Sequence, residues 1–114
     1  MSVQESHHAD TCPVDMFGNL FVDDHPYTCR MRELGLQRAV VEPILMPVNY
    51  GFTCGLQFML SGSQDVLVVA GEVQRHDDVR ITVRFTSMLP ATQRAIVALM
   101  ERSARRQRQR APRR

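Results

Sequence analysis

Apolar and polar residues alternate with period two along much of this chain. In Tyr27–Arg32, the residues Tyr27, Cys29 and Met31 alternate with Thr28, Arg30 and Arg32, the pattern of a half-buried strand. It recurs in Thr53–Leu60, where Cys54, Leu56, Phe58 and Leu60 share a face. In Arg80–Thr86, Ile81, Val83 and Phe85 face in while Arg80, Thr82 and Arg84 face out. Asn19–Asp23, the β-branched segment Arg38–Glu42 and Val66–Arg75 complete six predicted strands. Turn chemistry separates them: Asp24-His25-Pro26, a loop marked by Pro43, Pro47, Asn49 and Gly51, the cluster Ser61–Asp65, and His76-Asp77-Asp78. Short strands at close spacing predict a mainly β fold, a six-stranded antiparallel barrel.

The period changes after Pro90, a residue suited to the first turn of a helix because its missing N–H would be unpaired there. Thr92, Ile96, Leu99, Met100 and Ser103 then recur at three- and four-residue spacing and give one mostly apolar face. This predicts a C-terminal helix lying across the barrel. Past Ser103 the chain offers little to bury; the helix either extends or frays there, and residues 104–114 read as an Arg-rich, solvated tail. Residues 1–15 are polar, with His7 and His8, and read as a flexible arm. The expected organisation is arm, barrel plus helix over 16–103, and tail.

Charge sharpens that division. The net charge of +2 over 114 residues conceals two opposite parts. All 14 basic residues are Arg, and seven of them (Arg102, Arg105, Arg106, Arg108, Arg110, Arg113, Arg114) crowd the C-terminus. Residues 1–101 hold 7 Arg against 12 acids, leaving that part about −5 and the end +7. With 44% hydrophobic residues a globular fold is feasible. No apolar run approaches the ~18 residues of a membrane helix, and no secretory signal is legible in the polar N-terminus. Three widely spaced cysteines, Cys12, Cys29 and Cys54, suit neither a disulfide scaffold nor a zinc knuckle. Cys29 and Cys54 read as small core residues in a chain of the reducing cytoplasm.

Catalytic constellations are not legible either. The chain has no GxSxG, HExxH or Gly-rich phosphate loop. The paired acids Asp23-Asp24 and Asp77-Asp78 fall in turns, where Asp is favoured for its local hydrogen bonding. The expectation is a protein without catalytic or metal-binding residues and without a resident cofactor.

Four segments carry a resemblance to a known family. They are Tyr27-Thr-Cys-Arg-Met-Arg-Glu-Leu-Gly-Leu-Gln-Arg-Ala-Val-Val, Cys54-Gly-Leu-Gln-Phe-Met-Leu, Val68-Val-Ala-Gly-Glu-Val-Gln-Arg, and Arg80-Ile-Thr-Val-Arg-Phe-Thr-Ser-Met-Leu-Pro running into the helix. From about Gly18 to Met100 the chain resembles a PilZ domain, a six-stranded barrel followed by a helix. The resemblance implies a bacterial regulator, and its typical members bind cyclic di-GMP through an RxxxR loop before the first strand and a [DN]xSxxG motif after the second. Guanidinium forks suit phosphates and guanine edges, and a Gly turn lets backbone approach closely.

This chain departs from both motifs. No Arg precedes Arg30. The second motif falls on Glu33–Arg38, where Glu33, Gly35 and Arg38 replace its three signature positions. The resemblance with these departures implies a non-catalytic adaptor that acts on a protein partner, the usual cyclic di-GMP site having been lost. The alternative is a cyclic di-GMP receptor with a displaced fork of Arg30, Arg32 and Arg38. RxxxR spacings at Arg80/Arg84 and in the tail are expected by accident in so Arg-rich a chain, and Arg80 and Arg84 read as solvated charge. A third reading is nucleic-acid binding through the Arg tail, disfavoured at this level because no aromatics are interleaved for stacking.

Overall fold

The structure, a computed structural model, describes residues 11–44 and 51–110. Among these, six strands close into an antiparallel barrel: β1 (Thr11–Val22), β2 (His25–Gly35), β3 (Arg38–Pro43), β4 (Thr53–Phe58), β5 (Leu67–Arg75) and β6 (Ile81–Met88). The order around it is β1-β2-β3-β6-β5-β4, with β1 returning to pair with β4. One helix, α1 (Pro90–Arg110), follows. The mainly β barrel with a C-terminal helix is thus the architecture expected. Residues 1–10 of the arm expected over 1–15, the loop residues Pro47 and Asn49, and tail residues Arg113 and Arg114 lie outside the described residues.

Alternating apolar residues from every strand fill the interior. Leu20, Cys29, Met31, Leu34, Ala39, Val41, Leu56, Val73 and Val83 are all fully buried. Ile96 of α1 joins this cluster, with Leu99 and Met100 packed at its margin. The helix therefore covers the barrel with the stripe its periodicity predicts.

Two strands differ from expectation, each for a legible reason. β1 begins at Thr11, not Asn19, so residues 11–15 belong to the barrel and not to an arm. Its even positions Cys12, Val14, Met16, Leu20 and Val22 are more buried than the odd ones, but Pro13 and Gly18 interrupt the visible pattern. Gly18 is needed there: a Cβ would stand 2.9 Å from the Gln57 carbonyl oxygen and 3.1 Å from Met31 Sδ. β2 runs to Gly35, three residues beyond the expected end. Its pairing steps from Met31↔Val41 to Glu33↔Val40, so Arg32 is an extra residue against β3. That bulge changes the phase of the alternation and brings Leu34 inward. The remaining strand ends match expectation within two residues.

Turns show the same local logic. Asp23 and Asp24, with φ of 52° and 64°, form the two-residue loop of the β1–β2 hairpin, a conformation Asp tolerates better than most residues. The β5–β6 turn is organised by Asp77. Its Oδ1 accepts the backbone N–H groups of Val79 and Arg80 at 2.9 and 2.8 Å, and its Oδ2 accepts the Arg80 guanidinium at 2.7 Å.

Close approach of β5 and β6 yields a test of barrel packing. A Cβ on Gly71 would lie 2.6 Å from the Arg84 carbonyl oxygen and 2.8 Å from Val83 Cγ1. Backbone cannot yield as a flexible side chain would. Gly71→Ala is expected to destabilise the fold by about 1–3 kcal/mol in urea denaturation, and an unchanged midpoint would contradict the close approach.

Candidate functional site

The three arginines singled out in the sequence do not converge. Arg30 and Arg32 stand on the outer side of β2, where β1 is also irregular: Pro13 pairs with Glu33 but Met16 with Met31, so Val14 and Asp15 oppose Arg32. The irregularity places Asp15 beside both arginines. Arg30 Nε and Nη2 donate to its two oxygens at 2.8 and 3.1 Å. Arg32 lies 3.7 Å from Asp15 and 3.8 Å from Glu42. The Arg30 guanidinium also sits 5.9 Å from the centroid of the exposed Phe17 ring. Hydrogen bonds from Arg30 hold the Asp15 carboxyl below its usual range, and the same contact raises Arg30. These groups are exposed, so the pairs orient the strand surface and add little stability.

Arg38 lies elsewhere. It is paired in register with Arg84 on β6 and lines a groove of about 930 Å³ between α1, the start of β1 and the β2–β3 turn. Leu36, Val97 and Met100 give this groove apolar walls, while Glu33, Arg38 and Glu101 bring charge to it. Glu33 Oε1 accepts a 2.8 Å hydrogen bond from the Thr11 hydroxyl. Gly35 is buried at the end of β2. Of the three positions that replace the family motif, Glu33 and Arg38 therefore share one groove.

Three groove residues, Thr11, Cys12 and Pro13, fall in what the sequence reads as a polar arm. The signal that finds them is the even-residue phase of β1, legible once Gly18 is accepted as a strand position. Cys12 is buried, and burial raises its thiol pKa despite the neighbouring Ser103 hydroxyl and the charge of Arg106. Cys29 and Cys54, core residues as expected, are pushed up to about 11 by burial. Such thiols stay protonated at neutral pH and are poor nucleophiles. His76, from the β5–β6 turn, also reaches the groove, where its Nδ1 and the Thr82 hydroxyl share a 3.1 Å hydrogen bond.

The other arginines divide by location. Arg80 and Arg84, expected to be solvated, are ion-paired to Asp77 at 2.7 Å and Glu72 at 2.9 Å, because the β5–β6 hairpin sets each beside an acid. Arg102, Arg105, Arg106 and Arg108 are exposed on α1, which extends past Ser103 to Arg110, the first of the two outcomes the sequence left open there. Among the described residues, no group of three or more His, Cys, Asp or Glu is placed to hold a metal ion. No helix among them is long and apolar enough to cross a membrane.

No protein-family model matches the chain, and no curated protein shows significant similarity to it.

The Asp77 network predicts an acid dependence. Hydrogen bonds, led by the Val79 N–H, lower its pKa to about 2 from an ordinary 3.8. A depressed carboxylate pKa stabilises the fold above the ordinary value, and this stabilisation is lost as pH falls from about 4 through about 2. Asp77→Ala should therefore lower the denaturation midpoint at pH 6, with the gap to the unmodified chain closing between pH 4 and pH 2. A gap independent of pH would contradict this.

Proposed function

We propose that this chain is a PilZ-like, non-catalytic adaptor of the bacterial cytoplasm that works by docking onto another protein. Motility, type IV pilus or second-messenger signalling is the setting that the resemblance implies. The barrel followed by a helix supports the resemblance at the level of architecture.

The observation that carries the loss of the nucleotide site is the set of residues on the motif: Glu33, Gly35 and Arg38 replace its three signature positions, and no Arg precedes Arg30. Glu33 is engaged by the Thr11 hydroxyl at 2.8 Å, Gly35 supplies no hydroxyl, and Arg38 puts a side chain where the motif's Gly lets backbone approach a ligand. Arg30 and Arg32, which could supply a fork, are already engaged by Asp15 and Glu42. What the groove offers instead is an apolar wall with a charged rim, the makeup of a protein-docking surface.

A receptor with a displaced arginine fork is the competing reading. It draws on Arg38, which has no carboxylate within ion-pair distance among the described residues. Isothermal titration with cyclic di-GMP separates the two. The adaptor reading predicts no binding at micromolar ligand, and the same protein partner captured with or without the nucleotide. Micromolar binding abolished by Ala at Arg30, Arg32 and Arg38 would replace the adaptor with the receptor.

A further inference from the structure

The most unusual feature of the surface is the far end of α1. The helix packs through Thr92, Ile96 and Ser103, all nearly inaccessible, and every residue described from Ala104 to Gln109 is exposed. About 10 Å of helix thus runs on after the last packed residue. Arg105, Arg106 and Arg108 lie on this stretch and Arg102 just before it, with Glu101 the only acid in the whole helix.

These arginines differ from those of the barrel other than Arg38. Arg30, Arg32, Arg75, Arg80 and Arg84 each have a carboxylate within 4.0 Å. Among the described residues, none of the α1 arginines has one. At 3.6 residues per turn, Arg102, Arg105, Arg106 and Arg108 fan over an arc of roughly 160°. The fold fixes their Cα positions while leaving their guanidinium groups to solvent.

We infer that the projecting end of α1 is a binding arm for the phosphate backbone of double-stranded nucleic acid. Guanidinium forks match phosphate oxygens bidentately. An arc this wide suits a ligand with anions on two sides of the helix, and the walls of a duplex major groove, about 12 Å wide, supply that. A membrane surface fits less well. The apolar residues of α1 are spent on the barrel, and the projecting stretch offers only Ala104. A protein surface fits less well too, because protein interfaces centre on apolar or aromatic anchors that the stretch lacks. Without aromatics for stacking, single strands are not the preferred form. Contact limited to phosphates makes the binding independent of base sequence, and the acidic body confines it to the arm. This inference does not depend on the adaptor reading.

Fluorescence anisotropy of a short labelled DNA duplex, titrated with the full chain at several salt concentrations, is the test. Four phosphate contacts predict a slope of about −3.6 for log affinity against log salt. Replacing Arg102, Arg105, Arg106 and Arg108 by Gln should weaken binding at low salt at least about tenfold with unchanged circular dichroism, while the four Lys replacements retain most of it. The idea fails if the unmodified chain gives no anisotropy change at low salt, or if the Gln variant binds as well. Competition by polyglutamate equal to that by unlabelled duplex, charge for charge, would reassign the arm to acidic proteins. Tighter binding to anionic phospholipid vesicles than to duplex would reassign it to membranes.

Discussion

Everything in this molecule depends on β1 closing the barrel. It pairs with β2 along nearly its whole length and with β4 through Asn19, Leu20 and Phe21. A barrel left open at this seam would present two unpaired strand edges and an exposed apolar interior. Closure depends on a close approach that only glycine allows at Gly18, where the carbonyl of Gln57 and the sulfur of Met31 occupy the space of a side chain. The same strand sets the helix. Cys12, near its start, lines one groove with the buried Ser103, while Ile96 enters the core, so α1 is held at two points.

Two-point fixing explains why the protein has two electrostatic regimes. Between strands, β pairing and tight hairpins bring every barrel arginine but Arg38 beside a carboxylate, and the positive charge there is locally neutralised. Beyond Ser103, Ala104 and Gln107 face Thr11, Cys12 and Pro13 of β1 across the groove, a stretch without acids, and the arginines of α1 have no carboxylate within 4.0 Å among the described residues. The helix persists because Ala, Arg and Gln are all strong helix formers and because cations near a helix C-terminus interact favourably with its dipole. Repulsion between arginines three or four residues apart opposes this by a few tenths of a kcal/mol per pair. An acidic body and a rigid basic extension result, and this separation underlies the nucleic-acid arm.

Much of this was legible in the residues alone. The period-two segments around Cys29, Leu56 and Val83 placed β2, β4 and β6, β-branched runs between turn signals placed β3 and β5, and the Thr92–Ser103 spacing located the packed face of the helix. Where the reading fell short, one kind of signal was hidden by another. Pro13 and Gly18 masked the first half of β1, and the bulge at Arg32 broke the phase that would have extended β2. At the helix end, apolar periodicity stopped at Ser103 while propensity continued, which left extension and fraying both open. The groove was harder still. Thr11, Glu33, His76 and Met100 come from four separate elements, and only barrel closure brings them together.

The central claim is that the arginine-bearing end of α1 is an ordered helix although it buries nothing. Backbone chemical shifts of the full chain measure this directly at Ala104, Arg105, Arg106, Gln107 and Arg108. The account predicts helical Cα shifts through Arg108, continuous with those at Ile96 and Leu99. Random-coil values beginning directly after Ser103 would contradict it.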